Sequence, residues 1–174
     1  MTTRRTFKSV AAGLAALMLL AFGALLLIGP ERLWARFGPP DLGAVDFATL
    51  QRRDTPNDAL ACLPDFCAAA ADMPALVTTR SAADVFPSVQ EVVAGEPGVE
   101  QVAADAEAGT LRYVARSRLL KFPDTINVQV VATNEGGAAV LLYSRSQIGR
   151  GDMGVNRARL ERWTALIKAR LEQL

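Results

Sequence analysis

Apolar residues dominate the start of the chain, and alternating patterns replace them later. Val10 to Ile28 is an almost unbroken run of Ala, Leu, Val, Met, Phe, Ile and Gly. As a helix with a rise of about 1.5 Å per residue, this run would be about 28 Å long, close to the hydrocarbon thickness of a bilayer. Soluble helices normally carry a polar stripe, and this segment has none. We therefore predict one transmembrane helix, with residues 1–29 as an N-terminal membrane anchor.

The charges that flank this run predict its orientation. Three basic residues and the amino terminus precede it, whereas two basic residues and one acidic residue follow it. By the positive-inside rule, the N-terminus is cytoplasmic and the C-terminal domain is periplasmic or otherwise extracytoplasmic. A cleaved secretory signal is the alternative, but its apolar core is normally about 7–15 residues long, and Ala21-Phe22-Gly23 matches a cleavage site poorly. Thr3 to Lys8 also resembles a twin-arginine export signal, which would give the same topology.

Turn-forming residues separate the anchor from the rest of the chain. Gly38-Pro39-Pro40 ends any continuation of the helix, and residues 41–57 have the composition of a polar, partly helical tether. We therefore predict a linker over residues 30–55 and a folded domain over residues 56–174.

Strand and helix patterns divide this domain. A short strand is predicted over Leu76–Thr79, and Ser81 can cap a helix that ends at Gly95. Four strand candidates separated by turn residues follow, over residues 99–103, 110–117, 126–133 and 138–146, and the second and third show alternating patterns. A last helix over residues 156–173 has an apolar stripe of Leu160, Trp163, Ile167 and Leu171. The order strand, helix, four strands, helix predicts an α+β fold: a single antiparallel sheet with both helices on one face, preceded by the transmembrane helix.

Composition and charge exclude several classes of function. The chain has 19 Lys plus Arg and 18 Asp plus Glu, so its net charge is +1. This is not the strongly basic balance of a nucleic-acid-binding protein, and we expect no nucleic-acid partner. The chain contains no histidine, which excludes Ser-His-Asp and Cys-His nucleophilic sites as well as histidine-ligated zinc and haem. We predict no metal site and no cofactor.

The two cysteines lie close together in sequence. Cys62 and Cys67 flank Leu63-Pro64-Asp65-Phe66, and in an exported domain this arrangement favours a local disulfide. Free thiols, a metal site and a redox pair are the alternatives. Two sulfurs without histidine fall short of a structural zinc site, and the spacing is not the two-residue gap of thioredoxin-like motifs.

A polar, glycine-rich segment joins the last predicted strand to the last helix. Asp152 or Asn156 can cap that helix and satisfy its first amide groups. Alternatively, the helix start is an anion site, with Arg145, Arg150 and Arg157 near its free amides.

The polar motifs together resemble a known family, the domain of unknown function DUF1499. The resemblance covers about residues 55–172 and rests on Asn57-Asp58, Cys62-x4-Cys67, Tyr113-x3-Ser117-Arg118-x3-Phe122-x-Asp124, Tyr143-Ser144-Arg145-Ser146 and Gly149-x2-Asp152-x-Gly154-Val155-Asn156-Arg157-x-Arg159. That family has no established activity. The chain departs from its pattern at Pro64-Asp65-Phe66 and at Thr125, where the family often has a second acidic residue after Asp124. Thr125 therefore removes the second charge that a paired-carboxylate metal or acid–base site would need.

Three hypotheses for function remain. The first is a non-catalytic binding or interaction module at the outer face of the membrane, with a lipid, a small molecule or a protein as partner and with Arg116, Arg118 and Arg145 as anion contacts. The second is a histidine-free hydrolase or transferase that uses Asp124 and Asp152. The third is a structural subunit of a membrane complex. The candidate binding residues are Arg116, Arg118, Asp124, Arg145, Asp152, Asn156 and Arg157.

Overall fold

The N-terminal part of the chain forms a unit of its own. The structure is a computed structural model that describes residues 10, 12–20, 23, 27 and 29–174. The chain divides into two compact units, Met1–Gly38 and Pro39–Leu174. In the first unit, residues 12–20 are helical, and helix α1 (Pro30–Trp34) continues into a 3-10 turn over Ala35–Phe37.

The predicted anchor, Val10 to Ile28, lies partly outside the described residues. Within the residues that are described, the structure contains no helix that is both long enough and apolar enough to cross a bilayer. The anchor and its orientation stay predictions.

The second unit is built on one sheet of seven strands. The strands are β1 (Asp58–Cys62), β2 (Met73–Pro74), β3 (Leu76–Thr78), β4 (Val99–Asp105), β5 (Thr110–Arg116), β6 (Pro123–Ala132) and β7 (Ala138–Ser146). Their order is β2-β1-β7-β6-β5-β4, and β3 pairs with the first part of β7. Two longer helices accompany the sheet, α2 (Ala82–Ala94) and α3 (Val155–Leu171).

The α+β class is confirmed, but the prediction of a purely antiparallel sheet is wrong. The sheet is mixed, because β2 runs parallel to β1 whereas the other pairs are antiparallel. The predicted short strand and the four later strands are all present, with shifted ends. The two strands that were not predicted, β1 and β2, flank the disulfide loop and extend the sheet beyond β7.

Both long helices contribute to one core on one face of the sheet. Helix α2 begins where the Ser81 hydroxyl accepts a hydrogen bond from the amide of Asp84, at 3.2 Å, and it buries Val85, Val89 and Val93. Helix α3 buries the predicted stripe of Leu160, Trp163, Ile167 and Leu171. These side chains pack against alternate residues of the strands, among them Tyr113, Ile126, Val128 and Leu142.

The opposite face of the sheet is covered by residues 39–50, which we call the strap. Phe47 and Leu50 of the strap are buried in a second core with Leu60, Leu141 and Tyr143. Polar side chains of the sheet bind the strap backbone: the Thr125 hydroxyl accepts from the amide of Leu42 at 2.9 Å and donates to the carbonyl of Pro40 at 3.1 Å.

Residues 39–55 therefore differ from the expected tether. They have no helix and belong to the same compact unit as the sheet. Burial of Phe47 and Leu50 supplies the physical reason, because an apolar sheet face without helices needs another cover.

Candidate functional site

Strand β7 brings the predicted polar motif to both faces of the sheet. Since side chains alternate along a strand, Tyr143 and Arg145 point to the strap, and Ser144 and Ser146 point to α3. The end of β5, the start of β6 and the end of β7 lie side by side, with Arg116 opposite Pro123 and Asp124 opposite Ser146. We call this the motif end of the sheet.

On the helix side, Asn156 is the centre of a buried hydrogen-bond network. Its side-chain oxygen accepts from the Ser144 hydroxyl at 2.5 Å, and its side-chain nitrogen donates to Ser146 Oγ at 2.9 Å and to the carbonyl of Asn57 at 3.1 Å. Asn156 is fully buried. The network therefore ties the first turn of α3 to β7 and to the residue before β1.

Arg159 joins this network to Asp124 at the start of β6. Its Nη2 lies 2.6 Å from Asp124 Oδ2, while Nη1 donates to Asn156 Oδ1 at 2.6 Å and to Ser144 Oγ at 2.8 Å. The two charged side chains are only 10% and 9% exposed. Asp124 is thus the counter-ion of a structural arginine.

Asp152 caps α3. Its carboxylate accepts from the amide of Asn156 at 2.8 Å and from the amide of Gly154 at 3.0 Å. Gly154 itself has φ of 79°, which is a left-handed conformation that glycine adopts readily. The capping role that the sequence suggested for Asp152 is present, whereas Asn156 lies inside the helix and bonds through its side chain to the sheet.

On the strap side, Asp58 and Arg52 form a second cluster. Arg52 lies 2.6 Å from Asp58 and 2.9 Å from Asp72, and the Tyr143 hydroxyl donates to Asp58 at 2.6 Å. The hydrogen bond that Arg52 donates to Asp58 is the main reason that the pKa of Arg52 lies above its ordinary value. Burial, followed by the bond to Asp58, raises the pKa of Tyr143.

Arg145 is placed under the strap. Its Nη2 donates to the carbonyls of Leu42 and Gly43, at 2.7 and 3.1 Å, and its guanidinium lies 5.9 Å from the centre of the Tyr143 ring. Its Nε is buried and has no hydrogen-bond partner among the described residues. Burial lowers the pKa of Arg145, and the nearby charge of Arg53 acts in the same direction.

The remaining predicted site residues lie apart from these clusters. Arg116 is paired with Glu100 of β4 at 2.8 Å. Arg118 is exposed in the loop between β5 and β6, and Arg157 is exposed on α3, where it pairs with Glu161 at 3.0 Å. The seven candidates therefore do not form one site: Arg159 joins Asp124 to Asn156, and Asp152 binds the amide of Asn156. The four candidate arginines lie outside this group.

Cys62 and Cys67 form a disulfide. It closes the loop after β1, and Cys62 is buried in the core beneath the strap. Within residues 29–174 and the few described residues before them, no three His, Cys, Asp or Glu side chains are grouped so that they could hold a metal ion.

Eight residues of the two clusters were missing from the predicted site residues, although all except Arg52 and Asp72 belong to the family motifs: Arg52, Asn57, Asp58, Asp72, Tyr143, Ser144, Ser146 and Arg159. Arg159 had the clearest signal in the sequence, because it lies three residues after Asn156 and such residues share a helix face. Arg52 and Asp72 showed no such signal in the sequence. They meet at Asp58 only in the folded structure, where the segments after the strap and after the disulfide loop lie against β1.

Comparison with known proteins places this polar framework in a family. No curated protein shows a significant match to the chain. A family model described as protein of unknown function (DUF1499) matches residues 48–167, which include the end of the strap, every strand and most of α3. The chain therefore belongs to the DUF1499 family.

Proposed function

We propose that this protein is a membrane-anchored, extracytoplasmic binding or interaction module without catalytic activity. The observation that supports it best is that both carboxylates of the motif are bound to structural partners, whereas Arg145 of the motif is not paired with a carboxylate. Asp124 is bound to Arg159, and Asp152 is bound to two backbone amides. A general acid or base must be able to exchange a proton with a substrate, and both groups are committed to structural partners.

Arg145 is the candidate contact for an anionic ligand or partner. Among the described residues, Arg145 makes no ion pair within 4.0 Å. Its buried Nε is a hydrogen-bond donor that is not used. A guanidinium that makes no ion pair attracts carboxylate or phosphate groups, and the Nε donor of Arg145 is left to bind one, whereas its Nη2 is bound to the strap. This chemistry favours binding over the histidine-free hydrolase hypothesis.

The proposed location rests on separate observations. The apolar run at Val10 to Ile28 supports the anchor, and the Cys62–Cys67 disulfide is typical of an oxidising compartment. A membrane-impermeant thiol reagent on intact cells tests it. We expect the cysteines to react only after an impermeant reductant is added. Reaction without reductant, or only after lysis, would contradict this topology.

Native mass spectrometry of the full chain released from membranes tests binding. We expect an additional mass that is lost in Arg145→Gln and kept in the matched control Arg157→Gln, whose side chain is exposed. Recovery of empty wild-type protein would count against a tightly held ligand. Crosslinking in native membranes then distinguishes a transient partner from a fixed neighbour. A fixed neighbour would favour the structural-subunit hypothesis.

An activity screen tests the alternative. The full chain and the variants Asp124→Asn and Asp152→Ala are assayed against esters, phosphoesters and peptides. We expect no turnover above background in any of them. Turnover by the wild type that both folded variants lose would establish the hydrolase hypothesis instead.

A further inference from the structure

Two loops at the motif end of the sheet expose large apolar side chains. Within residues 39–174, Met153 and Leu119 are the most exposed large hydrophobic residues, at 100% and 89%. Leu120, beside Leu119, is 46% exposed. Isolated apolar residues are common on protein surfaces, but here they are at the tips of two loops that leave the same end of the sheet.

These loop tips are held in place by hydrogen bonds. In the loop over residues 117–122, the Ser117 amide donates to the carbonyl of Phe122 at 3.0 Å and the Lys121 amide donates to the carbonyl of Ser117 at 3.2 Å. In the other loop, Asp152 binds the amide of Gly154 at 3.0 Å. The apolar tips are therefore preformed, so little conformational entropy is lost when they bind a surface.

The charges around the tips are mainly basic. Arg118 and Lys121 flank Leu119 and Leu120, and the loop over residues 117–122 contains no acidic residue. Exposed Arg150 lies in the second loop, whose single acidic residue, Asp152, is bound to backbone amides. Apolar tips with adjacent basic side chains match the layered chemistry of a bilayer surface, where acyl chains lie beneath anionic headgroups.

The chain also enters the second unit at this end. The carbonyl of Pro39 accepts from Gln147 Nε2 at 2.6 Å, immediately after β7. Only residues 30–38 separate Pro39 from the predicted anchor. Even a fully extended segment of nine residues spans no more than about 32 Å, so Pro39 follows the predicted anchor after only a short stretch of chain.

We propose that the loops over residues 117–122 and 147–154 dock on the surface of the bilayer, with Leu119, Leu120 and Met153 inserted among the lipids and Arg118, Lys121 and Arg150 on anionic headgroups. This proposal rests on the anchor in the proposed function. It gives the family domain a fixed face toward the membrane and leaves the disulfide loop and the far end of the sheet to the solvent.

Depth measurements on the full chain test this docking. The variants Leu119→Cys and Met153→Cys carry an environment-sensitive fluorophore in nanodiscs of phosphatidylcholine with added phosphatidylglycerol. The matched control is Glu135→Cys, which is exposed in the turn between β6 and β7 at the opposite end of the sheet. We expect blue-shifted emission and quenching by shallow spin-labelled lipids at positions 119 and 153, and neither at position 135. Water-like emission at all three positions would overturn the proposal.

Charge reversal tests the headgroup contacts. In the labelled Leu119→Cys chain, Arg118→Glu together with Arg150→Glu should weaken docking on anionic nanodiscs about tenfold or more, and Lys168→Glu on the distal part of α3 should leave it unchanged. If the chain with Arg118→Glu and Arg150→Glu docks as well as the labelled chain without these substitutions, the role of the basic residues is overturned.

Two further outcomes separate this proposal from the other hypotheses. If alkaline carbonate extracts the chain from nanodiscs and membranes, the anchor itself is wrong. If the anchored chain shows water-like labels in pure lipid but buried labels in native membranes, the loops bind a protein, and the lipid proposal is overturned while the anchor stands.

Discussion

Arg159 Nη2 lies 2.6 Å from Asp124 Oδ2 and joins the first turns of α3 to the start of β6. Both side chains are almost completely withdrawn from water, so each charge depends on the other. Removal of one partner leaves an uncompensated buried charge.

We therefore expect Arg159→Met to lower the free energy of unfolding by about 3 kcal/mol or more. The measurement is urea unfolding of the full chain in mild detergent, followed by circular dichroism. Arg157→Met, two positions earlier and exposed, should cost less than about 0.5 kcal/mol. Combining Arg159→Met with Asp124→Asn should restore part of the loss, and simple additivity would contradict a direct pair.

Asn156 gives a second prediction for stability. Asn156→Ala leaves Ser144, Ser146 and the carbonyl of Asn57 short of partners in the protein interior. Ser144 keeps its bond from Arg159 and the Asn57 carbonyl keeps its bond from the Ser146 amide. At about 1 kcal/mol for each of the buried hydrogen bonds that are lost, the free energy of unfolding should fall by about 3 kcal/mol in the same unfolding assay. The control Asn134→Ala, in an exposed turn, should change stability little. Equal effects of the two substitutions would show that the network adds nothing.

The strap gives a third prediction. Phe47 is 2% exposed beneath it, and Phe47→Ala should destabilise the domain by about 3–5 kcal/mol through lost burial and a cavity. Hydrogen exchange at the amide of Leu42 should accelerate as well, because that amide is protected by Thr125. The exposed neighbour substitution Ala48→Ser should leave both quantities unchanged. A Phe47→Ala protein as stable as the wild type would mean that the strap is a loose tether after all.

The disulfide gives a fourth prediction. Cys62 and Cys67 are five positions apart, so their bond closes a small loop. Replacement of both by Ser should cost about 2 kcal/mol by the loop-entropy estimate and should make residues 63–71 more sensitive to proteases. Limited proteolysis followed by mass spectrometry locates the new cleavage sites. New cleavage in the strap instead of residues 63–71 would show that the disulfide stabilises the second core more than it stabilises the segment around its own loop.

The tyrosines give a fifth prediction, for high pH. The chain has two tyrosines, and burial raises the pKa of Tyr113 and of Tyr143 above the ordinary value. Above about pH 10 the unfolded state loses phenolic protons that the folded state keeps, so stability falls as the pH rises. Absorbance of phenolate near 295 nm should therefore stay low above pH 10 and rise only with unfolding. Tyr113→Phe should halve the final signal, and ionisation of the folded wild type near pH 10 would contradict the burial of these hydroxyls.

The parts of the fold that could be predicted are those with a regular pattern. The segments of β5 and β6 alternate, β4 and β7 are bounded by turn residues, and α3 repeats its apolar positions at spacings of three and four. Strand β2 has only two residues, and two of the five residues of β1 are alanine, so neither shows a clear period. The burial of Phe47 and Leu50 could not be predicted, because they lie in an extended segment with no periodic pattern.

The polar residues were easier to identify than to interpret. Asp124 and Asn156 stood out by sequence, but Asp124 lies 35 residues before Arg159, and this separation gave no sign that they pair. Arg145 and Ser144 are adjacent in sequence yet belong to different faces of the sheet. Roles of this kind depend on the tertiary contacts of each side chain.

The strap also determines how the domain would respond to mechanical load. Tension that enters at Pro39 reaches the sheet through separate bonds in chain order: first Gln147, then Thr125 and then Arg145. Pulling from the N-terminal side would thus detach the strap bond by bond before it strains the pairing of β6 with β7, so the strap acts as a sacrificial element that protects the sheet.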